Sequence, residues 1–192
     1  MTYATPLLRR PDQSLWQQGA LIVAASVLIA LAAQVAVPMW PVPITLQGLA
    51  ILTVGLSLGP RMGALAVLTY LAEGAMGLPV FANGGAGLAY MTGPTAGFLL
   101  GFVAMAWIAG LAARASLPVK LVATVAASLA IYVPGLAWPM GVAALMGVDA
   151  SWAATDASAL WAGWMQPFLI GDTIKAVLAA LIVTGGLKAL KR

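Results

Sequence analysis

The sequence contains no cysteine and no histidine. The first absence excludes a disulfide framework, thiol nucleophiles and thiolate metal ligands. The second removes the commonest imidazole ligand and the base of Ser-His catalysis. Charge is scarce as well: 7% of the 192 residues are ionic, against about 25% in a soluble domain. No Gly-Lys dipeptide occurs, so the phosphate-cradling lysine of a Walker A loop is missing. These gaps argue against an enzyme. They predict no catalytic residue, no metal site and no cofactor.

Apolar residues are abundant. They make up 62% of the chain, and the mean hydropathy is +1.01 over 19.5 kDa. A globule of that size cannot hide so much apolar surface from water. The expected solvent is lipid, and the expected fold is an all-α membrane protein with a single domain over 1–192. A hydrocarbon core of roughly 30 Å needs about 20 apolar residues in a helix. After a short N-terminal segment at about 1–17, runs near 18–37, 45–59, 62–78, 93–113, 118–138 and 166–187 predict six spans. Pro94, Pro118 and Pro167 suit first helical turns, and Gly185-Gly186 suits the end of the last helix.

The basic residues orient the chain. With both ends inside, Arg9, Arg10, Arg61, Arg114, Lys120, Lys188, Lys191 and Arg192 all face the cytoplasm. The outer loops near 38–44, 79–92 and 139–165 then hold no basic residue, and the last of them carries Asp149 and Asp156. The second run is short, and the segment before it, Pro38-Met39-Trp40-Pro41-Val42-Pro43, cannot be helical. It reads either as a tight turn or as a loop that dips inward and roofs a pocket.

Three charges fall deep within the spans, away from their ends: Glu73, Asp172 and Lys175. Each costs about 2.5–3.5 kcal/mol at mid-membrane unless it is paired or solvated. Asp172 and Lys175 are three apart and share a helix face, about 9 and 14 Å below a helix start near Gln166 at about 1.5 Å per residue. They read either as a mutually neutralising structural pair or as part of a polar ligand site. Glu73 fits a helper, a snorkelling group or a proton site. The loop Gly77-Leu78-Pro79-Val80-Phe81-Ala82-Asn83-Gly84-Gly85-Ala86-Gly87, with Tyr90 beyond it, offers close backbone approach, an amide and flat apolar faces. Its plainer reading is a flexible connector. Ala20/Ala24 and Ser26/Ala30 repeat small residues at four-residue spacing, which allows helices to approach closely.

Five segments in register resemble the BioY family of biotin-specific substrate-binding (S) components of energy-coupling factor (ECF) transporters. They are Pro41-Val42-Pro43-Ile44-Thr45-Leu46-Gln47, Leu58-Gly59-Pro60-Arg61-Met62-Gly63-Ala64, Gly77-Leu78-Pro79-Val80-Phe81-Ala82, Gly93-Pro94-Thr95-Ala96-Gly97-Phe98 and Gly171-Asp172-Thr173-Ile174-Lys175. The resemblance runs from about residue 18 to 188. It implies a six-helix S component in the cell membrane, most simply a bacterial inner membrane, that binds biotin from outside. It also implies a transmembrane scaffold partner and a pair of ATPases. The family's Gly-Asp-x-x-Lys motif falls on Asp172 and Lys175, and its loop asparagine on Asn83. Thr45, Gln47, Phe81, Gly84, Gly85 and Tyr90 join them as substrate-binding candidates, with Trp138 a further wall for the sulfur ring. Backbone N–H groups around Gly84 and Gly85 are candidates for the tail carboxylate. Partner docking falls on the first helix, at Ala20, Ala24, Ser26 and Ala30. Ser26 stands where the family usually has alanine, and Glu73 where it is commonly apolar. The competing reading is a self-sufficient, proton-coupled secondary transporter.

Overall fold

The computed structural model describes residues 13–148, 152–153 and 156–189. Helix α1 (Leu15–Gln34) is capped by Ser14, whose hydroxyl accepts from Gln17 N at 3.3 Å while Gln17 Oε1 accepts from Ser14 N at 3.0 Å. This reciprocal box satisfies two backbone donors at the helix start. Strands β1 (Ala36–Val37) and β2 (Ile44–Thr45) then pair antiparallel, Ala36 opposite Thr45, and close the proline-rich turn between them. Within that turn the Trp40–Pro41 peptide is cis. Helices α2 (Gln47–Leu58) and α3 (Pro60–Ala75) follow, joined at Gly59, whose φ of 80° only glycine adopts easily. A single 3-10 turn at 82–84 and α4 (Gly87–Met91) lead into α5 (Ala96–Leu111).

The second half is more helical than the sequence suggests. Helix α6 (Leu117–Ala130) runs into α7 (Tyr132–Ala137), a π turn at Trp138–Val142 and α8 (Ala143–Leu145). Likewise α9 (Ala157–Leu160) passes through a π turn at Trp161–Met165 into α10 (Gln166–Ala189). Most of the described part of the expected loop at 139–165 is therefore helix. Pro118 sits in a first turn as expected, but Pro94 precedes the helix by two residues. Pro167 lies inside a continuous helical stretch. Its missing N–H is absorbed beside the widened π turn, a common way for a helix to pass a proline. Gly185 and Gly186 do not end the last helix. Neither takes the positive φ of a terminating glycine, and a glycine in helical geometry costs only about 1 kcal/mol.

Three helical stretches are long and apolar enough to cross a membrane: Leu15–Gln34, Leu117–Leu145 and Ala157–Gly186. Gln47–Leu58 and Ala96–Leu111 are shorter apolar helices. Helices α2 and α5 form the centre, with α3, α6 and α10 packed around them and α1 laid against α3 and α2. Small residues set the spacing. A Cβ on Gly55 of α2 would lie 2.5 Å from the Ala106 carbonyl oxygen of α5. Between lipid-solvated helices such backbone approach replaces the hydrophobic drive of a water-soluble core. Outward faces carry large exposed apolar side chains, among them Val27, Leu31, Ile170 and Leu181. Of the charges used to orient the chain, Arg9, Arg10, Asp149, Lys191 and Arg192 lie outside the described residues, as does the side chain of Lys188.

Candidate ligand-binding site

Asp172 and Lys175 occupy successive positions on one face of α10, and they bond to each other. Lys175 Nζ donates to Asp172 Oδ1 at 2.9 Å, with the two side chains 12% and 14% exposed. The other carboxylate oxygen, Oδ2, accepts the hydroxyl of Tyr132 from α7 at 2.8 Å. Tyr132 is held in turn by Phe98, whose ring meets it edge-on at 5.9 Å while lying parallel to Trp164 at 6.4 Å. Desolvating an ion pair costs several kcal/mol per ion, so excellent geometry and extra hydrogen bonds are needed to hold it. The Tyr132 hydroxyl provides one.

All three side chains border a cavity of about 620 Å³, its open mouth included, within the range of small-molecule sites. Phe98, Phe102, Met105, Ile131 and Phe168 form the apolar wall. Thr45, Gln47, Tyr90, Thr95, Tyr132, Asp172 and Lys175 are the polar groups. The lysine stem passes Gly48, where a Cβ would stand in ordinary contact at 3.6 Å from Lys175 Cδ. Val42 and Pro43 of the proline-rich turn also line this cavity, so the turn reaches into the site.

Thr45 and Gln47 face the cavity through a relay of their own. The Thr45 hydroxyl lies 3.0 Å from Gln47 Oε1, and Gln47 Nε2 donates to the buried Tyr70 hydroxyl at 2.7 Å. Tyr70 meets the Phe81 ring edge-on at 5.5 Å, and Phe81 stacks on Tyr90 at 4.9 Å. Phe81 is thus fully buried and does not line the cavity; it backs Tyr90, which does. Its ring fills the space where Gly74 lacks a Cβ. Burial raises the Tyr90 hydroxyl above its ordinary pKa, against a lowering hydrogen bond with Thr95, so it serves as a neutral donor and acceptor.

The glycine loop is arranged differently from the expectation. Asn83 is exposed, in left-handed geometry at φ 57°, and lies outside the cavity lining. The Gly84 N–H already donates to Gln34 Oε1 at 3.1 Å, and the Gly85 N–H to the Ala82 carbonyl at 3.1 Å. Both donors proposed for a ligand carboxylate are therefore committed to the protein. The absent Gly85 side chain instead makes room for the Tyr90 ring. Gln34 also donates to the Phe81 carbonyl at 3.0 Å, so the end of α1 clamps this loop. Trp138 is not a wall either: it is buried, and its indole N–H donates to the Gly93 carbonyl at 3.0 Å. The sequence reading missed Tyr132 and Gln34, and with them the apolar wall of Phe98, Phe102, Met105, Ile131 and Phe168. The available signal for Tyr132 was a tyrosine deep in an apolar run, whose hydroxyl must find a partner.

The first helix separates its four small residues. Ala20 and Ala24 are exposed, on an outer face shared with Val27 and Leu31. Ala30 is half-buried and packs on the core. Ser26 is fully buried and cannot present itself to a partner. Its hydroxyl lies 2.9 Å from Glu73 Oε1 and 2.8 Å from the Val23 carbonyl oxygen. Spacing alone cannot tell these faces apart: the four-residue repeats at 20/24 and 26/30 look alike in sequence but point about a third of a turn from each other.

Comparison with known proteins bears on the family and the fold. The model of the BioY family matches residues 8–192. A biotin transporter BioY of Rhodobacter capsulatus is 39% identical over 170 residues, covering 82% of this chain and 86% of its own. A probable biotin transporter BioY of Pyrococcus horikoshii is 33% identical over 166 residues, covering 86% and 93%. The crystal structure of an S-component for biotin from an ECF-type ABC transporter superposes with a TM-score of 0.75, covering 94% of this chain and 95% of that one at 22% identity. Such a likeness establishes the shared fold. With a family model that spans nearly the whole sequence and relatives at 39% and 33% identity, the chain belongs to the BioY family.

Proposed function

We infer that this protein captures biotin as the substrate-binding subunit of an ECF-type importer. The observation that carries the reading is the cavity itself, apolar on one wall and ending on Asp172, Lys175 and Tyr132. Biotin presents a ureido ring with two N–H donors and a carbonyl, an apolar sulfur ring and an acidic tail. Asp172 accepts a ureido N–H. Lys175 offsets the local negative charge, and the Phe98, Phe102 and Phe168 side suits the sulfur ring. Tyr90, Thr45 and Gln47 supply further polar contacts from the same lining. Asn83, exposed beside the mouth, reaches the ligand only if the loop clamped by Gln34 closes over it. No resident cofactor is required.

The chain crosses the membrane six times with both ends in the cytoplasm, a reading supported by the basic residues of the inner segments and by a helix at each of the six apolar runs. Energy comes from partners, a transmembrane scaffold and an ATPase pair, docked through the outer face of α1 at Ala20 and Ala24. A binding titration on the purified chain tests the central claim. Biotin binds far more tightly than riboflavin or thiamine; tighter binding of either of those would overturn the ligand assignment.

A further inference from the structure

Asp172 and Tyr132 border two spaces. One is the ligand cavity; the other is a cleft of about 230 Å³ between α6 and α10, whose polar lining is Ser128, Tyr132, Asp172 and Thr173. Ser128 is 4% exposed, and its hydroxyl has no protein partner. Other helical hydroxyls here fold back on the carbonyl four residues earlier: Thr53 at 2.7 Å, Thr69 at 2.9 Å, Thr124 at 3.0 Å and Thr173 at 2.7 Å. Ser128 does not. Thr184 also lacks a protein partner but lines neither space. A buried hydroxyl left unpaired keeps the full cost of its desolvation, so a partner in the cleft stabilises it.

The carboxylate has unfilled capacity on the same side. An ionised Asp offers about four acceptor positions, and the protein fills two of them, one through Lys175 and one through Tyr132. We propose that the cleft is a binding site for one ordered water, which accepts from the Ser128 hydroxyl and donates to Asp172. The Thr173 hydroxyl, already donating to the Leu169 carbonyl, accepts the second water hydrogen. Three partners are usual for a buried water, and the polar lining distinguishes this cleft from apolar voids that stay dry. A cation is disfavoured, because the Lys175 ammonium already balances the carboxylate. With the water bound, one acceptor position on Asp172 remains, directed to the ligand cavity. The site therefore selects for a ligand that brings an N–H there. This rests on the reading of Asp172 as the acceptor for biotin.

The test combines a crystal structure at a resolution that shows waters with biotin titrations of the full chain. The wild type shows a water within hydrogen-bond distance of Ser128 Oγ and an Asp172 oxygen, and Ser128→Ala lacks it. Ser128→Ala weakens biotin binding roughly three- to tenfold, while Ser128→Thr, which keeps the hydroxyl, stays close to wild type. A dry cleft with Ser128 turned onto the Thr124 carbonyl overturns the proposal. So does a Ser128→Ala protein that loses thermal stability but keeps its affinity. Asp172→Asn separates the two levels. If it damages biotin binding while Ser128→Ala is silent, the water alone is wrong; if both are silent, the role of Asp172 as ligand acceptor falls with it.

Discussion

Ser26 of α1 and Glu73 of α3 meet across 2.9 Å, forty-seven positions apart in sequence. The resemblance sets Ser26 against a usual alanine and Glu73 against a usually apolar residue, and in the structure these two side chains are each other's partners. A carboxylate half-buried among apolar helices needs such a donor. Ser26→Ala leaves Glu73 short of it and destabilises by about 1–2 kcal/mol, within the range for an unsatisfied buried group. Thermal unfolding in detergent reads this as a lowered midpoint. Glu73→Leu in the same chain recovers most of the loss; strictly additive effects would show that the contact is energetically idle.

Asp172→Ala removes the acceptor of both Lys175 and Tyr132. Breaking one side of a buried pair costs about 3–5 kcal/mol, so stability and biotin binding fall together. Asp172→Asn keeps an acceptor oxygen and loses affinity more than stability. A large, equal loss of melting temperature in both variants, with biotin affinity intact, would mean that the pair is only structural.

The docking proposed for α1 falls on its exposed small residues, Ala20 and Ala24. Ala24→Trp places a bulky ring on the outer face and blocks close helix approach. Biotin binding by the isolated chain is unchanged, while uptake with scaffold and ATPases drops sharply. Ala30 is unsuitable for this test because it packs inward. Full-rate import in vesicles holding this chain alone, abolished by an uncoupler, would replace the ATP-driven mechanism with proton coupling.

The orientation is accessible because the chain has no native cysteine. Single cysteines at Gly85 and Asp156 label with an impermeant reagent from outside, and one at Arg61 labels only after the membrane is opened. External labelling at 61 would invert the arrangement.

What the sequence determined by itself was whatever depends on local composition and short spacing. Hydropathy located the helices, because lipid demands apolar side chains wherever a helix meets it. The interval of three put Asp172 and Lys175 on one face, because an α-helix brings i and i+3 together whatever its neighbours are. The helical stretches through 138–145 and 157–165 escaped notice, because Pro139, the glycines and the acids Asp149 and Asp156 read locally as a loop and only packing holds the π turns in place. Everything that turns the pair into a site was decided by the tertiary structure. Tyr132 reaches Asp172 across forty residues, Gln47 reaches Tyr70 across twenty-three, and Gln34 reaches Gly84 across fifty. Which of these polar groups meet depends on how α1, α2, α3, α7 and α10 rotate against one another. That rotation is set by small-residue contacts such as Gly55 on Ala106, which only the packed bundle selects among the many that an alanine-rich chain allows.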